Sequence, residues 1–140
     1  DLFTEPLVMT TSASHPLANR STVTFDDLHN QKILTLEDGH CLRDQAMGYC
    51  FSAGAEEDHS FRATSLETLR YMVASNMGIT LMPQLATMNY APQKHIHYIP
   101  FQHPQPMREI VLLCRTGYAR MESVRAVVSH IRTAVKGLLD

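Results

Sequence analysis

Residues 32–50 read KILTLEDGHCLRDQAMGYC and combine a strand, a connection and a helix start. The run Lys32–Leu36, rich in aliphatic residues, predicts the strand, and Cys41 begins a short predicted helix after the connection at Glu37–His40. In open α/β sheets, binding sites lie at the carboxyl ends of the strands, where the helices begin. We therefore expect the functional residues of this chain to gather around Cys41.

Three features around Cys41 favour a thiolate: the predicted helix start, the imidazole of His40 and the guanidinium of Arg43. Because the thiolate is the nucleophilic form of cysteine, we predict that Cys41 is more acidic and more reactive than Cys50. Cys50 follows nine positions later and could resolve an oxidised Cys41 if the backbone between them allows it. Spacing alone leaves open that both cysteines are inert apolar residues.

Composition limits the kind of protein. With 140 residues, 44% of them hydrophobic and 19% charged, the chain can form one packed domain. A net charge of −2 provides no basic face for binding nucleic acid through this segment. No targeting signal and no apolar run near the roughly 20 residues of a membrane helix are visible, which favours a cytoplasmic location without membrane contact. Three cysteines do not make a disulfide framework, and in a reducing compartment a disulfide would be transient, which favours redox sensing or catalysis over a structural role.

Strands and helices are predicted to alternate, which indicates an α/β domain with a largely parallel sheet. Strands are predicted at Leu7–Thr11, Lys32–Leu36, Ser60–Ala63, Ile79–Met82, Ile96–Pro100 and Ile110–Arg115. Helices are predicted at Phe25–His29, from Cys41, and at Ser65–Asn76, Gln84–Met88 and Ala119–Leu139. We also expect an acidic turn at Glu56–Asp58 and a buried Cys114 in the last strand.

Local signals mark the ends of several helices. Thr24 is the expected cap of the first helix, and Thr64 with Glu67 has the spacing of a capping box for the helix Ser65–Asn76. Gly78 is expected to end that helix in the left-handed conformation. The last helix carries one apolar stripe, formed by Val124, Val127, Val128, Ile131, Val135 and Leu138.

Two runs, Leu36–Ala46 with its Gly-His-Cys and Phe61–Arg70, resemble the OxyR hydrogen-peroxide sensors, a branch of the LysR-type transcriptional regulators. Gly78–Pro83 resembles a sequence found throughout LysR-type effector domains. The resemblance implies a periplasmic-binding-protein-like effector domain of two α/β subdomains. Val8–Arg108 would form the complete second subdomain, and residues 109–140 would be the strand and helix that return to the first. The family's winged helix-turn-helix domain has no counterpart in residues 1–140, so we expect this sequence to be a fragment.

The resemblance also assigns residues to a site. It implies that Cys41 is the peroxide-reactive thiol and Cys50 its disulfide partner. Arg108 falls where the family has an arginine near the reactive thiol. We therefore expect His40, Arg43 and Arg108 to stabilise the thiolate.

Three further residues are candidates for the effector cleft: His59, Thr64 and Ser65. The family often has the histidine directly before the phenylalanine, a place that Ser60 takes here, so the match of His59 is displaced by one position. Ser65 has a simpler interpretation as a helix cap. A zinc site from His40, Cys41, Cys50 and His59 is disfavoured, because this spacing matches no compact zinc motif.

The predicted function is a non-enzymatic regulatory domain that controls antioxidant genes through a Cys41–Cys50 disulfide, without a cofactor. The resemblance implies as partners hydrogen peroxide, promoter DNA bound by the absent domain, RNA polymerase, and a glutaredoxin or thioredoxin-type reductant. It also implies a homodimer or tetramer, which we expect to form through the helices Ser65–Asn76 and Ala119–Leu139. Two alternatives remain open: a thiol peroxidase that turns over, and a small-molecule-binding effector domain with incidental cysteines.

The spacing of the two cysteines predicts a conformational change. In one continuous helix, nine residues would separate the Cα atoms of Cys41 and Cys50 by roughly 13.5 Å along the axis. A disulfide needs these atoms within about 4.4 to 6.8 Å of each other. Gly48 weakens the helix by roughly 1 kcal/mol relative to alanine. We therefore expect the segment to refold on oxidation and to act as a bistable element.

Overall fold

The computed structural model describes residues 1–88 and 95–139. Within these two ranges there are six strands: β1 Phe3–Ser12, β2 Lys32–Leu36, β3 Glu56–Ala63, β4 Thr80–Pro83, β5 Ile96–Ile99 and β6 Met107–Ile110. The three α-helices are α1 Cys41–Ser52, α2 Leu66–Ala74 and α3 Met121–Leu139, with short 3-10 turns at Phe25–Leu28 and Gln84–Thr87. No helix within the described ranges is long and apolar enough to span a bilayer.

The strands mix parallel and antiparallel pairing. β2 and β3 are parallel, and a parallel bridge joins Ile33 of β2 to Ile79, the residue just before β4. β1 lies between β4 and β5 and is antiparallel to both. The prediction of a largely parallel sheet is therefore wrong for the pairing around β1, because this strand enters between two strands that run the opposite way.

The long strand β1 takes part in two sheets. Its first half pairs with β6, from Phe3 opposite Ile110 to Pro6 opposite Met107, and its second half pairs with β4 and β5. The predicted strand Ile110–Arg115 is wrong, since residues 111–115 have no regular secondary structure. The ladder stops at Ile110 because β1 begins opposite it, and the described chain offers no further partner strand. Cys114 is consequently exposed, in contrast to the buried position expected for it.

The core has two layers of apolar side chains, one on each face of the strands. Ile33 and Leu81 contribute to the layer that contains α1, whereas their neighbours Leu34 and Met82 contribute to the layer that contains α2. Successive residues of a strand point to opposite faces, so this alternation places α1 and α2 on opposite sides of the sheet. The arrangement is an α/β fold, as predicted, with the start of α1 at the carboxyl end of β2.

Three local predictions, two about the ends of α2 and one about a turn, are wrong. α2 is capped by Ser65, whose hydroxyl accepts a hydrogen bond from the Thr68 N–H at 3.1 Å, so the cap lies one residue after Thr64. The left-handed residue after α2 is Asn76, with φ of 60°, and Gly78 does not have a positive φ. The expected acidic turn is part of β3, since Glu56 and Glu57 pair with β2.

Gly78 is required for packing. A Cβ atom at this position would lie 2.9 Å from the Leu34 Cγ, which is too close for two carbon atoms. We expect Gly78→Ala to lower the free energy of unfolding by about 1 to 2 kcal/mol, because the fully buried Leu34 would have to shift to admit the added methyl group. Denaturant unfolding measures this effect. Gly137→Ala is the matched control, since a Cβ atom there meets nothing within 4 Å, and a loss of stability equal to that of Gly78→Ala would contradict the packing argument.

The last helix is present, but it is not buried. α3 covers Met121–Leu139, and its apolar stripe includes Val127, which is 50% exposed, and Leu138, which is 47% exposed. Arg132 of α3 donates hydrogen bonds to the backbone carbonyls of Asp1 and Leu2. The helix is thus tied to the beginning of the chain, and whether its stripe forms a dimer interface stays a prediction.

Candidate functional site

Both candidate redox thiols lie on α1. Cys41 is the first residue of the helix and is exposed, whereas Cys50 is 0% exposed and belongs to the apolar core; both are free thiols. Burial raises the pKa of the Cys50 thiol to about 12, so this thiol is protonated at neutral pH. The first turn of a helix favours a negative charge such as a thiolate. The two thiols therefore differ in access and in environment.

The local sequence explains why α1 begins at Cys41. Gly39 has φ of 94°, a left-handed conformation that lets the chain turn out of β2. His40 follows in an extended conformation at the N-cap position, where its carbonyl accepts a hydrogen bond from the Arg43 N–H at 3.0 Å. The inward face of the helix carries Ala46, Met47 and Cys50, all of them buried. The cysteine that opens α1 therefore faces solvent, and the one that follows faces the core.

Arg43 is bound to a carboxylate that the sequence did not reveal as important. Its Nη1 and Nη2 atoms contact the two carboxylate oxygens of Glu57 at 2.6 and 3.1 Å, in a bidentate pair. Its Nε atom contacts Asp38 at 3.1 Å. The side chains of Arg43 and Glu57 are only 12% and 3% exposed, so this ion pair is shielded from solvent. The pair fastens the first turn of α1 to β3.

Glu57 is the centre of a wider cluster. The Arg43 hydrogen bonds, together with the Thr35 hydroxyl at 2.8 Å and the charge of Arg62, lower the pKa of Glu57 to about 2. His59 Nδ1 lies 3.5 Å from the same carboxylate, although its side chain is 75% exposed. The only signal for Glu57 in the sequence is the acidic run Glu56–Asp58, which by itself indicates a turn. The structure thus brings Arg43 and His59 together through Glu57, whose role no sequence motif indicates.

The other predicted site residues lie on different partners. Arg108 donates from Nε to the Glu5 carboxylate at 2.7 Å, and Glu5 is completely buried. Thr64 and Ser65 are both exposed at the start of α2, where Ser65 acts as the cap. The thiolate-stabilising roles of His40, Arg43 and Arg108, and the cleft roles of His59, Thr64 and Ser65, stay predictions.

Metal binding has no built site in the described chain. Within residues 1–88 and 95–139, no group of three His, Cys, Asp or Glu side chains is arranged to hold a metal ion. His40, Cys41, Cys50 and His59 are thus not grouped as zinc ligands in this conformation.

The chain belongs to the LysR substrate-binding domain family, whose profile matches residues 1–136. This finding confirms the effector-domain fold that the sequence predicted.

Its relatives within this family include peroxide regulators. The "Hydrogen peroxide-inducible genes activator" of Haemophilus influenzae is 46% identical over 139 residues, which cover 99% of this chain and 46% of the relative. Solved structures of the oxidised and reduced forms of OxyR are similar, with TM-scores of 0.83 and 0.85 and identities of 48% and 45%. Each match covers 99% of this chain, and 66% and 65% of the two solved chains. The resemblance to OxyR is therefore confirmed, and the chain spans about half the length of the curated relatives that it matches.

Proposed function

We propose that this chain is the redox-sensing regulatory domain of a transcriptional regulator that responds to hydrogen peroxide. The observation that carries the proposal is the placement of an exposed thiol, Cys41, and a buried thiol, Cys50, on one helix. A sensor needs one thiol that meets the oxidant and a second thiol that responds to its oxidation. The names of the relatives and of the solved structures support this class of function.

The chemistry requires one molecule of peroxide for each disulfide. The Cys41 thiolate attacks one oxygen of hydrogen peroxide, the O–O bond breaks, and after protonation the products are a Cys41 sulfenic acid and water. The Cys50 thiol then attacks the Cys41 sulfur, and a second water leaves as the disulfide forms. Two thiols are oxidised and peroxide is reduced to two waters. A dithiol reductant of the glutaredoxin or thioredoxin type reverses the step by thiol–disulfide exchange.

The regulatory output depends on parts of the regulator beyond this domain. A net charge of −2 favours promoter contacts through a separate winged helix-turn-helix domain, with RNA polymerase as the downstream partner. Within the chain, Val8–Arg108 forms one subdomain, and residues 109–140 return to a second one. The regulator works in the cytoplasm as a homodimer or tetramer, and redox state changes the geometry of that assembly.

The proposal is tested by following the thiols after a single addition of peroxide. Wild type should form one Cys41–Cys50 disulfide, Cys50→Ser should stop at a Cys41 sulfenic acid that dimedone traps, and Cys41→Ser should remain reduced. Peptide mass spectrometry identifies each product. Cys114→Ser is the matched control and should behave as wild type, although Cys114 is also exposed.

Two results would count against this function. The first is preferential oxidation of Cys114 in wild type, or oxidation of Cys50 in the Cys41→Ser variant as fast as that of Cys41 in wild type. Either would show that Cys41 is not the sensing thiol. Sustained consumption of peroxide in the presence of thioredoxin and its reductase, at a rate typical of an enzyme, would favour the thiol peroxidase alternative.

A further inference from the structure

Tyr49 of α1 forms hydrogen bonds with the strand β6. It lies one residue before Cys50, and its hydroxyl donates a hydrogen bond to the Met107 carbonyl at 2.9 Å. The same hydroxyl accepts a hydrogen bond from the Met107 N–H at 3.2 Å. One side chain of α1 therefore holds both backbone polar groups of a single residue in β6.

Met107 lies where α1, through Tyr49, contacts the ladder between β1 and β6. It is the first residue of β6 and lies opposite Pro6 in the antiparallel ladder with β1. The next residue, Arg108, binds the buried carboxylate of Glu5 in β1. From β6 the chain continues to α3. A change at Met107 is therefore placed to reach both β1 and the path toward the last helix.

The ring of Tyr49 is held independently of its hydroxyl. It stacks on Phe25 with centroids 6.0 Å apart and an interplanar angle of 13°. Phe25 in turn packs against Phe101, with centroids 5.4 Å apart. Because these aromatic contacts do not use the hydroxyl, Tyr49→Phe keeps the packing and removes only the two hydrogen bonds to Met107. The contribution of the hydroxyl can thus be isolated.

We propose that the Tyr49 hydroxyl couples the redox state of Cys41 and Cys50 to β6, as a positioning residue of the switch. This inference rests on the proposed disulfide, which requires α1 to unwind between the two cysteines. When Cys50 leaves its buried position, the adjacent Tyr49 is carried with it and both bonds to Met107 are lost. The reduced helix therefore restrains β6, and the disulfide releases it. Such a two-state contact is a physical route for coupling between two places in a protein.

The test uses the intact protein, equilibrated with mixtures of reduced and oxidised glutathione. Because the two bonds stabilise only the reduced form, Tyr49→Phe should raise the equilibrium constant for disulfide formation about three- to fivefold. In wild type, the Met107 amide should exchange its hydrogen faster after oxidation. In Tyr49→Phe, it should already exchange fast in the reduced form and change little on oxidation.

Tyr71→Phe is the matched control, because Tyr71 is a 64% exposed tyrosine on α2, and it should leave both measurements unchanged. Two outcomes overturn the coupling while leaving the proposed function intact. The first is an equal disulfide equilibrium constant in wild type and Tyr49→Phe. The second is Met107 protection that persists after wild type has formed its disulfide, which would mean that the Cys41 end alone moves. Absence of any Cys41–Cys50 disulfide in wild type overturns the proposed function and the coupling together.

Discussion

Oxidation by hydrogen peroxide should remove the helical protection of the backbone amides of α1. The structure has both cysteines in one continuous helix, Cys41–Ser52, in which nine residues correspond to roughly 13.5 Å along the axis. A disulfide requires Cα atoms within about 4.4 to 6.8 Å, so the bond and the intact helix exclude each other. Hydrogen exchange of residues 41–55 in reduced and oxidised protein measures the change. Equal protection in the two states would show that the helix survives oxidation and that the switch does not depend on its unwinding.

Gly48→Ala sharpens this prediction. Gly48 is exposed in the interior of α1, and a Cβ atom there would meet nothing within 4 Å. Alanine favours a helix over glycine by about 1 kcal/mol, so the reduced form gains stability that the unwound form lacks. The equilibrium constant for disulfide formation should therefore fall about fivefold. Gly137→Ala makes the same change in α3 and is the matched control. An equal fall of the disulfide equilibrium constant in that variant would show that the effect does not come from the stability of α1.

Glu57→Gln should destabilise the domain by about 2 kcal/mol at neutral pH. The change replaces the carboxylate that accepts hydrogen bonds from both Nη atoms of Arg43 with a neutral amide, so the shielded guanidinium keeps, among the described residues, only the exposed Asp38 as a charged partner. Denaturant unfolding at pH 7 gives the difference from wild type. Glu56→Gln is the matched control, because Glu56 is the exposed neighbour in the same strand.

Acid should remove the difference between wild type and Glu57→Gln. In the folded protein the pKa of Glu57 is lowered from 4.5 to about 2, chiefly by the hydrogen bonds from Arg43. Its stabilising contribution is therefore complete above about pH 4.5 and declines as the pH falls toward 2, where the folded form also takes up the proton. The stability curves of the two proteins should converge across this range. A constant gap between pH 5 and pH 2 would mean that the glutamine acts through packing and not through charge.

The strand, turn and helix around Cys41 could be predicted from the sequence because their causes are local. The strand signal at Lys32–Leu36 and the connection at Glu37–His40 lie next to each other, and the observed β2 and α1 begin where these signals place them. The sequence also indicates Ser65 as the cap of α2, whereas the capping box predicted with Thr64 starts one residue too early. Features whose causes lie within a few neighbouring residues can therefore be predicted from the sequence.

Contacts between distant residues could not be predicted in the same way. Arg43 finds Glu57 on β3, Tyr49 finds Met107 on β6, and Arg108 finds Glu5. Each pair depends on which strands lie side by side, and β1 was expected in a largely parallel sheet. The exposed Cys114 follows from the same cause, because its predicted strand lacks a partner in the described chain. The cysteines could thus be found from sequence, whereas the groups that restrain their helix could not.

The shared strand β1 also determines the order in which the domain can assemble during synthesis. β1 is synthesised before the other strands described here, yet Glu5 must wait for Leu85, 80 residues later, and for Arg108, 103 residues later. Pairing across such separations is slow, because a long loop must close before any contact forms. The elements β2, α1 and β3 follow one another along the chain through short connections, so this unit can form earlier. A nascent chain can therefore display the Cys41 thiol before the strand that completes its domain has found its partners.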